Sequence, residues 1–183
     1  MMTAHDIFAR ATIIPVMTVT DIDSAVSLGR VLYKQGYEVL EVTLRTSAAV
    51  HAIEELRRQL PNALIGAGTV LNKKDLQLVT TVGAQFAISP GATPDLLKAG
   101  READIPLIPG VATVSEVMQG IEYGYNEFKL FPAAAIGGVK LLKSIDAPLA
   151  GVKFCPTGGI NESNYKDYLA LPNVSCVGGS WII

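Results

Sequence analysis

Apolar residues along this chain follow two periods that take turns. Short runs of branched and apolar residues read as strands: Ile13-Val19, Val39-Thr43, Leu64-Gly68, Phe86-Ser89, Pro106-Ile108, Glu127-Leu130, Val152-Cys155 and Ser175-Val177. Longer stretches at helical period lie between them. Asp21 opens one that Gly36 closes, Asn72 with Asp75 opens one closed by Gly83, and Thr113 with Glu116 opens one closed by Gly124. Each pairs a side chain able to accept a first-turn N–H with a glycine where the chain must leave the helix. The segments Ser47-Leu60, Thr93-Ala103, Gly138-Ile145 and Asn161-Leu171 fit the same scheme, with Val50, Ile53, Leu56 and Leu60 on one inward stripe of the first. Thr3-Arg10 also reads as a short helix.

Such alternation means parallel strands joined by crossover helices, and eight strands is the number that closes a (β/α)8 barrel. The expected fold is therefore α/β, a TIM barrel forming one domain over residues 1–183. Trp181-Ile182-Ile183 follow the last strand directly, so the eighth helix is expected to be absent from this chain.

Composition narrows the functional classes. A chain of 183 residues that is 49% hydrophobic and 17% charged can bury one large core without disulfides or metals. Its net charge is -2, and no basic run exceeds Arg57-Arg58 or Lys73-Lys74, so nucleic acid is not an expected partner. Asp6 and Arg10 interrupt any leader-like run, and Gly83, Gln85, Pro90 and Pro172 break the longest uncharged stretches. No membrane association is expected, and the compartment is expected to be the cytoplasm. Cys155 and Cys176 lack metal-ligand or redox spacing and read as small core residues in a reducing setting.

The candidate chemistry starts from an internal echo. Gly36-Tyr37-Glu38-Val39-Leu40-Glu41-Val42 and Gly124-Tyr125-Asn126-Glu127-Phe128-Lys129-Leu130 align, which puts Glu41 and Lys129 at equivalent places on the second and sixth strands. Inward side chains of alternate barrel strands share a layer, so both should point at the axis. By period two, Glu41, Thr43 and Arg45 lie on one face. An unpaired buried charge costs several kcal/mol, so these groups form either a structural ion pair or a site that uses the charges. Lysine, unlike arginine, can shed its proton and attack a ketone to form a Schiff base. Glu41 could carry the protons this needs, and Arg45 offers a planar fork for a carboxylate. Thr157-Gly158-Gly159 and Gly178-Gly179-Ser180 follow the seventh and eighth strands, where barrels hold phosphate on backbone N–H groups. Thr69 adds a hydroxyl at the end of the third strand. Glu127 and Lys153, nearer the bottom, read as a structural ion pair. His5 and His51 fall on helical segments, so no metal site and no cofactor are expected.

Taken together, Glu41-Val42-Thr43-Leu44-Arg45-Thr46, Gly66-Ala67-Gly68-Thr69-Val70, Glu127-Phe128-Lys129-Leu130-Phe131-Pro132, Phe154-Cys155-Pro156-Thr157-Gly158-Gly159-Ile160 and Gly178-Gly179-Ser180-Trp181 strongly resemble the KDPG aldolase family. These are class I aldolases of 2-dehydro-3-deoxy-6-phosphogluconate, often acting also on 4-hydroxy-2-oxoglutarate. The resemblance implies Lys129 as the Schiff-base lysine, Glu41 as the proton-transfer residue, and Arg45 with Thr69 at the pyruvate carboxylate. It also implies that Thr157, Gly158, Gly159, Gly179 and Ser180 hold the phosphate or distal end, with Phe131 and Pro132 lining the pocket. A small 2-oxo acid substrate, pyruvate and a homotrimer are implied as partners. The competing readings are the same chemistry on 4-hydroxy-2-oxoglutarate alone, and a non-catalytic phosphosugar-binding barrel. One departure stands out: where the family commonly has Phe-Pro-Ala-Glu, this chain has Phe131-Pro132-Ala133-Ala134.

Overall fold

The computed structural model describes residues 2–183. Strands β1 (Ile13–Met17), β2 (Val39–Thr43), β3 (Leu64–Gly68), β4 (Ala87–Ile88) and β5 (Leu107–Ile108) pair in parallel in that order. β9 (Val177–Gly179) pairs with the free side of β1, while β6 (Gly110–Val111), β7 (Glu127–Leu130) and β8 (Lys153–Pro156) form a second parallel set. The two sets are one wall. β5 and β6 are halves of the fifth barrel strand, divided at Pro109: Ser89 N still donates to Ile108 on the β4 side, while Lys129 N donates to the Pro109 carbonyl on the β7 side. At the other seam, single bridges link Phe154 of β8 to Val174, just before β9, and Thr157, just after β8, to Gly178 of β9. The result is the expected (β/α)8 barrel, with a fifth strand longer than Pro106-Ile108 because it resumes after the proline. The last strand begins two residues later than expected, and Gly178 stands opposite Ile14.

The helices follow their caps. In α1 (Ala4–Ala9) and α6 (Val114–Glu122), Thr3 with Asp6 and Thr113 with Glu116 form reciprocal capping boxes. Asp21 and Asn72 cap α2 (Ile22–Lys34) and α4 (Lys73–Thr81), and Thr93 caps α5 (Pro94–Glu102). α3 (Ala49–Gln59) and α7 (Gly138–Asp146) start without a side-chain cap. α8 (Tyr165–Leu169) is shorter than the expected Asn161-Leu171. There, Asn164 Oδ1 accepts from Asn161 N and Asn161 Oδ1 accepts from Ser163 N, so asparagine side chains hold the backbone in turns before the helix.

Two apolar clusters divide the core. Outward strand residues such as Leu40, Val42, Ile65, Phe128 and Phe154 pack under the helices. Inward residues Ile14, Val39, Leu64, Phe86, Ile88, Ile108, Cys155 and Cys176 form the barrel interior, and α1 closes its lower end by inserting Ile7 and Phe8. Gly66 makes room in this layer, since a Cβ there would lie 2.3 Å from the Phe86 ring. Both cysteines are free and buried. Glu127 and Lys153 do not form the expected ion pair. They are ladder partners, but Lys153 Nζ donates to the Pro172 carbonyl at 2.7 Å, and Glu127 lies 3.8 Å from His5 Nδ1. Parity sets the face of a long side chain, not the acceptor it reaches.

Candidate active site

At the C-terminal end of the barrel, the two inward charges of β2 and β7 meet. Lys129 Nζ donates to Glu41 Oε1 at 3.2 Å, with side chains only 6% and 2% exposed. This is the one buried ion pair among the described residues. With both side chains buried, each charge depends on the other. The space for the carboxylate comes from Gly68, where a Cβ would stand 2.0 Å from Glu41 Oε1. Phe131 covers the other side, with the Lys129 ammonium 5.5 Å from its ring centroid. Below the pair, Cys155 is the ladder partner of Lys129. Burial pushes the Cys176 thiol well up, and the neighbouring Cys155 and the charge of Glu41 act in the same direction. The two free, buried cysteines thus line the floor of the site.

Arg45 follows β2 and is exposed at the mouth. It does not pair with Glu41; its Nε donates to Thr69 Oγ1 at 3.2 Å. Thr69 has φ 59, the only positive φ outside glycine among the described residues. A β-branched residue pays a steric cost in this region, so a conformation that aims the hydroxyl at Arg45 is held by its surroundings. Leu44 N donating to the Gly68 carbonyl and Val70 N donating to Ile88 O fasten the two loops on either side.

The glycine turns stand opposite. Gly158 and Gly159 have φ 96 and 75, conformations that suit glycine. A Cβ on Gly158 would lie 3.2 Å from Pro132 Cα and 3.3 Å from the Phe131 ring; one on Gly159 would lie 2.5 Å from Ala134 Cβ. The loop after the lysine strand is thus seated directly on this turn, and Ala133 N and Ala134 N donate to the Thr157 and Gly158 carbonyls. The small side chain of Ala134 is what touches Gly159 where a longer residue would have to turn away. Thr157 is buried and bridged to Gly178, where a Cβ would lie 2.4 Å from Thr157 Oγ1. Gly179 lies under Trp181, and Ser180 is exposed at the rim.

Lys129, Arg45, Thr69, Phe131, Pro132, Thr157, Gly158, Gly159, Gly179 and Ser180 thus lie at or just beyond the C-terminal ends of β2, β3, β7, β8 and β9, and Glu41, at the middle of β2 and one layer further in, reaches Lys129. Three hydroxyls join them that the sequence reading left without a role. Thr43 is fully buried above Glu41, Thr18 stands beside it, and fully buried Ser89 accepts from Gly110 N at 3.1 Å. Thr18 is the polar residue on the inward parity of Ile14 and Val16, which is the signal that could have drawn attention to it.

The family model for KDPG and KHG aldolase matches residues 4–183. The chain is 54% identical over 180 residues to the KHG/KDPG aldolase of Escherichia coli K12, covering 98% of this chain and 84% of that one. It is similar, at TM-score 0.96 and 54% identity, to a crystal structure of KDPG aldolase from Legionella pneumophila with pyruvate captured at low pH as a covalent carbinolamine intermediate; the match covers 97% of this chain and 86% of that one. A crystal structure of the 2-keto-3-deoxy-6-phosphogluconate aldolase of Zymomonas mobilis ZM4 with 3-phosphoglycerate is similar at TM-score 0.94 and 42% identity, covering 98% and 85%.

Proposed function

This chain belongs to the KDPG and KHG aldolase family, and from that premise we propose that it is a Schiff-base aldolase cleaving 2-dehydro-3-deoxy-6-phosphogluconate to pyruvate and glyceraldehyde 3-phosphate. The observation that carries this reading is the buried contact, 3.2 Å, between Lys129 Nζ and Glu41 Oε1 at the mouth of the barrel. An ammonium must lose a proton before it can attack a carbonyl, and Glu41 is the group within reach to take it. The free amine adds to the C2 ketone and the carbinolamine loses water to give an iminium. Glu41, directly or through water, then removes the C4 hydroxyl proton. The C3–C4 electron pair moves into the iminium, leaving an enamine on Lys129 and a new aldehyde at C4. Glyceraldehyde 3-phosphate departs, the enamine takes a proton at C3, and water releases pyruvate and the amine.

Arg45 and Thr69 suit the carboxylate at C1, one by its planar fork and the other by a hydroxyl held in place at 3.2 Å. The backbone N–H groups of Gly158, Gly159 and Gly179, with the Ser180 hydroxyl, suit the phosphate, and Thr157, Phe131 and Pro132 line the way between. The Escherichia coli relative carries the KHG name as well. A second substrate, 4-hydroxy-2-oxoglutarate, would share the whole pyruvyl half of this site and differ only at the glycine turns. A homotrimer fits the family reading, and Leu71, Leu78, Val114, Met118 and Ile121 remain exposed for contacts between copies; light scattering at three times the chain mass supports it, and a monomer mass overturns it.

The direct test is borohydride reduction with pyruvate followed by peptide mass spectrometry. A pyruvate-dependent adduct on Lys129, absent in a folded Lys129→Ala variant that has also lost cleavage, is the expected result. An adduct elsewhere, or aldol cleavage surviving in Lys129→Ala, would reassign the nucleophile. No adduct in folded protein would favour a non-catalytic phosphosugar-binding barrel.

A further inference from the structure

One polar side chain at the mouth has no part in the scheme so far. Thr18 follows β1 on the same inward parity as Ile14 and Val16. Val16 is the ladder partner of Glu41, so Thr18, two residues on, stands beside Thr43, one inward layer nearer solvent than the Glu41 carboxylate. Its Oγ1 lies 3.0 Å from Thr43 Oγ1. Thr43 is fully buried, and its hydroxyl donates to the Met17 carbonyl at 3.1 Å.

The Met17 carbonyl can only accept, which points to one arrangement of the two hydroxyl protons. A threonine hydroxyl has one proton and two lone pairs. The Thr43 proton is committed to Met17, so the proton between the two hydroxyls is that of Thr18. Thr18 Oγ1 therefore turns its proton inward and presents only lone pairs to the open mouth, where the residue is exposed. A group arranged in this way accepts hydrogen bonds. It has nothing to give a carboxylate or a phosphate, both acceptors themselves, and it suits an uncharged hydroxyl.

We infer that Thr18 is a specificity-determining residue that accepts a hydrogen bond from the C5 hydroxyl of the substrate, with Thr43 as the positioning residue that orients it. The assignment rests on the aldolase reading above. There, C1 and C2 are held by Arg45, Thr69 and Lys129, Glu41 serves the C4 hydroxyl, and the glycine turns take the far end. The part of the substrate that crosses the layer above Glu41 carries the next hydroxyl along, at C5.

The experiment runs the reaction toward synthesis, condensing pyruvate with D-glyceraldehyde 3-phosphate, whose 2-hydroxyl becomes the C5 hydroxyl, or with 3-phosphooxypropanal, which lacks it. The readout is the ratio of kcat/KM for the two aldehydes, so differences in their intrinsic reactivity cancel between variants. Thr18→Val should lower the wild-type ratio by about threefold to tenfold, as expected for one neutral hydrogen bond. Thr18→Ser should restore it, and Thr43→Val should lower it too, because the Thr18 proton is then free to turn outward. A ratio unchanged in Thr18→Val overturns the inference, whether both aldehydes slow equally or neither does. The borohydride adduct of the wild-type protein separates the two levels: with an adduct present, an unchanged ratio removes only the role of Thr18, whereas no adduct removes the aldolase reading as well.

Discussion

At the scale of single residues, the site is built as much by what is missing as by what is present. Glu41 and Lys129 are tolerable in the interior because each is the other's counter-charge, and the carboxylate has a place because Gly68 has no side chain. Gly68→Ala would put a carbon 2.0 Å from Glu41 Oε1 and 2.7 Å from its carboxyl carbon, so the carboxylate must leave the lysine. The backbone at this position is ordinary, and the effect is therefore on Glu41. Loss of the positioned proton carrier should cut kcat by about 10²-fold or more, with a stability loss of about 1–3 kcal/mol from overpacking. A coupled assay for pyruvate and a denaturant titration read the two quantities, and a variant with near-normal kcat would contradict the placement of Glu41. Strand parity made the meeting of Glu41 and Lys129 legible, because two inward charges on alternate strands have little choice of partner. It failed for Glu127 and Lys153, whose longer reach toward the barrel bottom found Pro172 and His5 instead. Thr18 escaped notice because a hydroxyl at a strand end reads equally well as a turn residue.

At the scale of elements, the caps were the most readable feature. Thr113 with Glu116, Asn72 with Asp75 and Asp21 all cap where their spacing implied, since these bonds are local and need no tertiary information. The fifth strand was not readable in full: Pro109 hides its second half, and only the neighbours β4 and β7 show that one strand serves both. Tyr125 is a second tertiary feature of this kind. It enters β7 from α6, and its hydroxyl donates to the Leu97 carbonyl of α5 at 2.7 Å. Burial pushes its phenol up to about 12, and the nearby Arg101 guanidinium only partly opposes this. The folded value lies above the ordinary value of about 10 in the unfolded chain, so the native state keeps a proton that the unfolded state gives up. This contribution is intact below about pH 10 and is lost as pH rises toward 12. Urea titrations should show stability falling across that window more steeply in wild type than in Tyr125→Phe. Equal slopes would mean that the phenol is not protected by the α5 contact.

At the scale of the whole molecule, the barrel separates its two tasks along its axis. The interior from Phe86 and Ile108 down to α1 is apolar, the Glu41–Lys129 pair lies in the upper layers, and the charges of the lower rim, Glu127 and Lys153, reach outward to His5 and Pro172. The alternation of strands and helices foretold the barrel. That α1 is its plug was not legible, because a six-residue amphipathic segment has no marker saying which surface it will cover. Ile7 and Phe8 are 0% and 3% exposed although they belong to so short a helix, and packing inside the barrel end is what accounts for their burial. Phe8→Ala should therefore cost about 3–5 kcal/mol, as for a core phenylalanine that leaves a cavity. At about 2–4 °C per kcal/mol for a domain of this size, Tm should fall by about 6–20 °C. The kcat of the folded fraction should stay close to wild type, because the lower end of a barrel supports stability and the upper end carries the chemistry. Gly68→Ala is the opposite case, losing activity far out of proportion to its smaller loss of stability. If Phe8→Ala instead lost kcat in step with stability, the two ends of the barrel would be coupled, and the lysine–glutamate pair would depend on the plug as well as on its own layer.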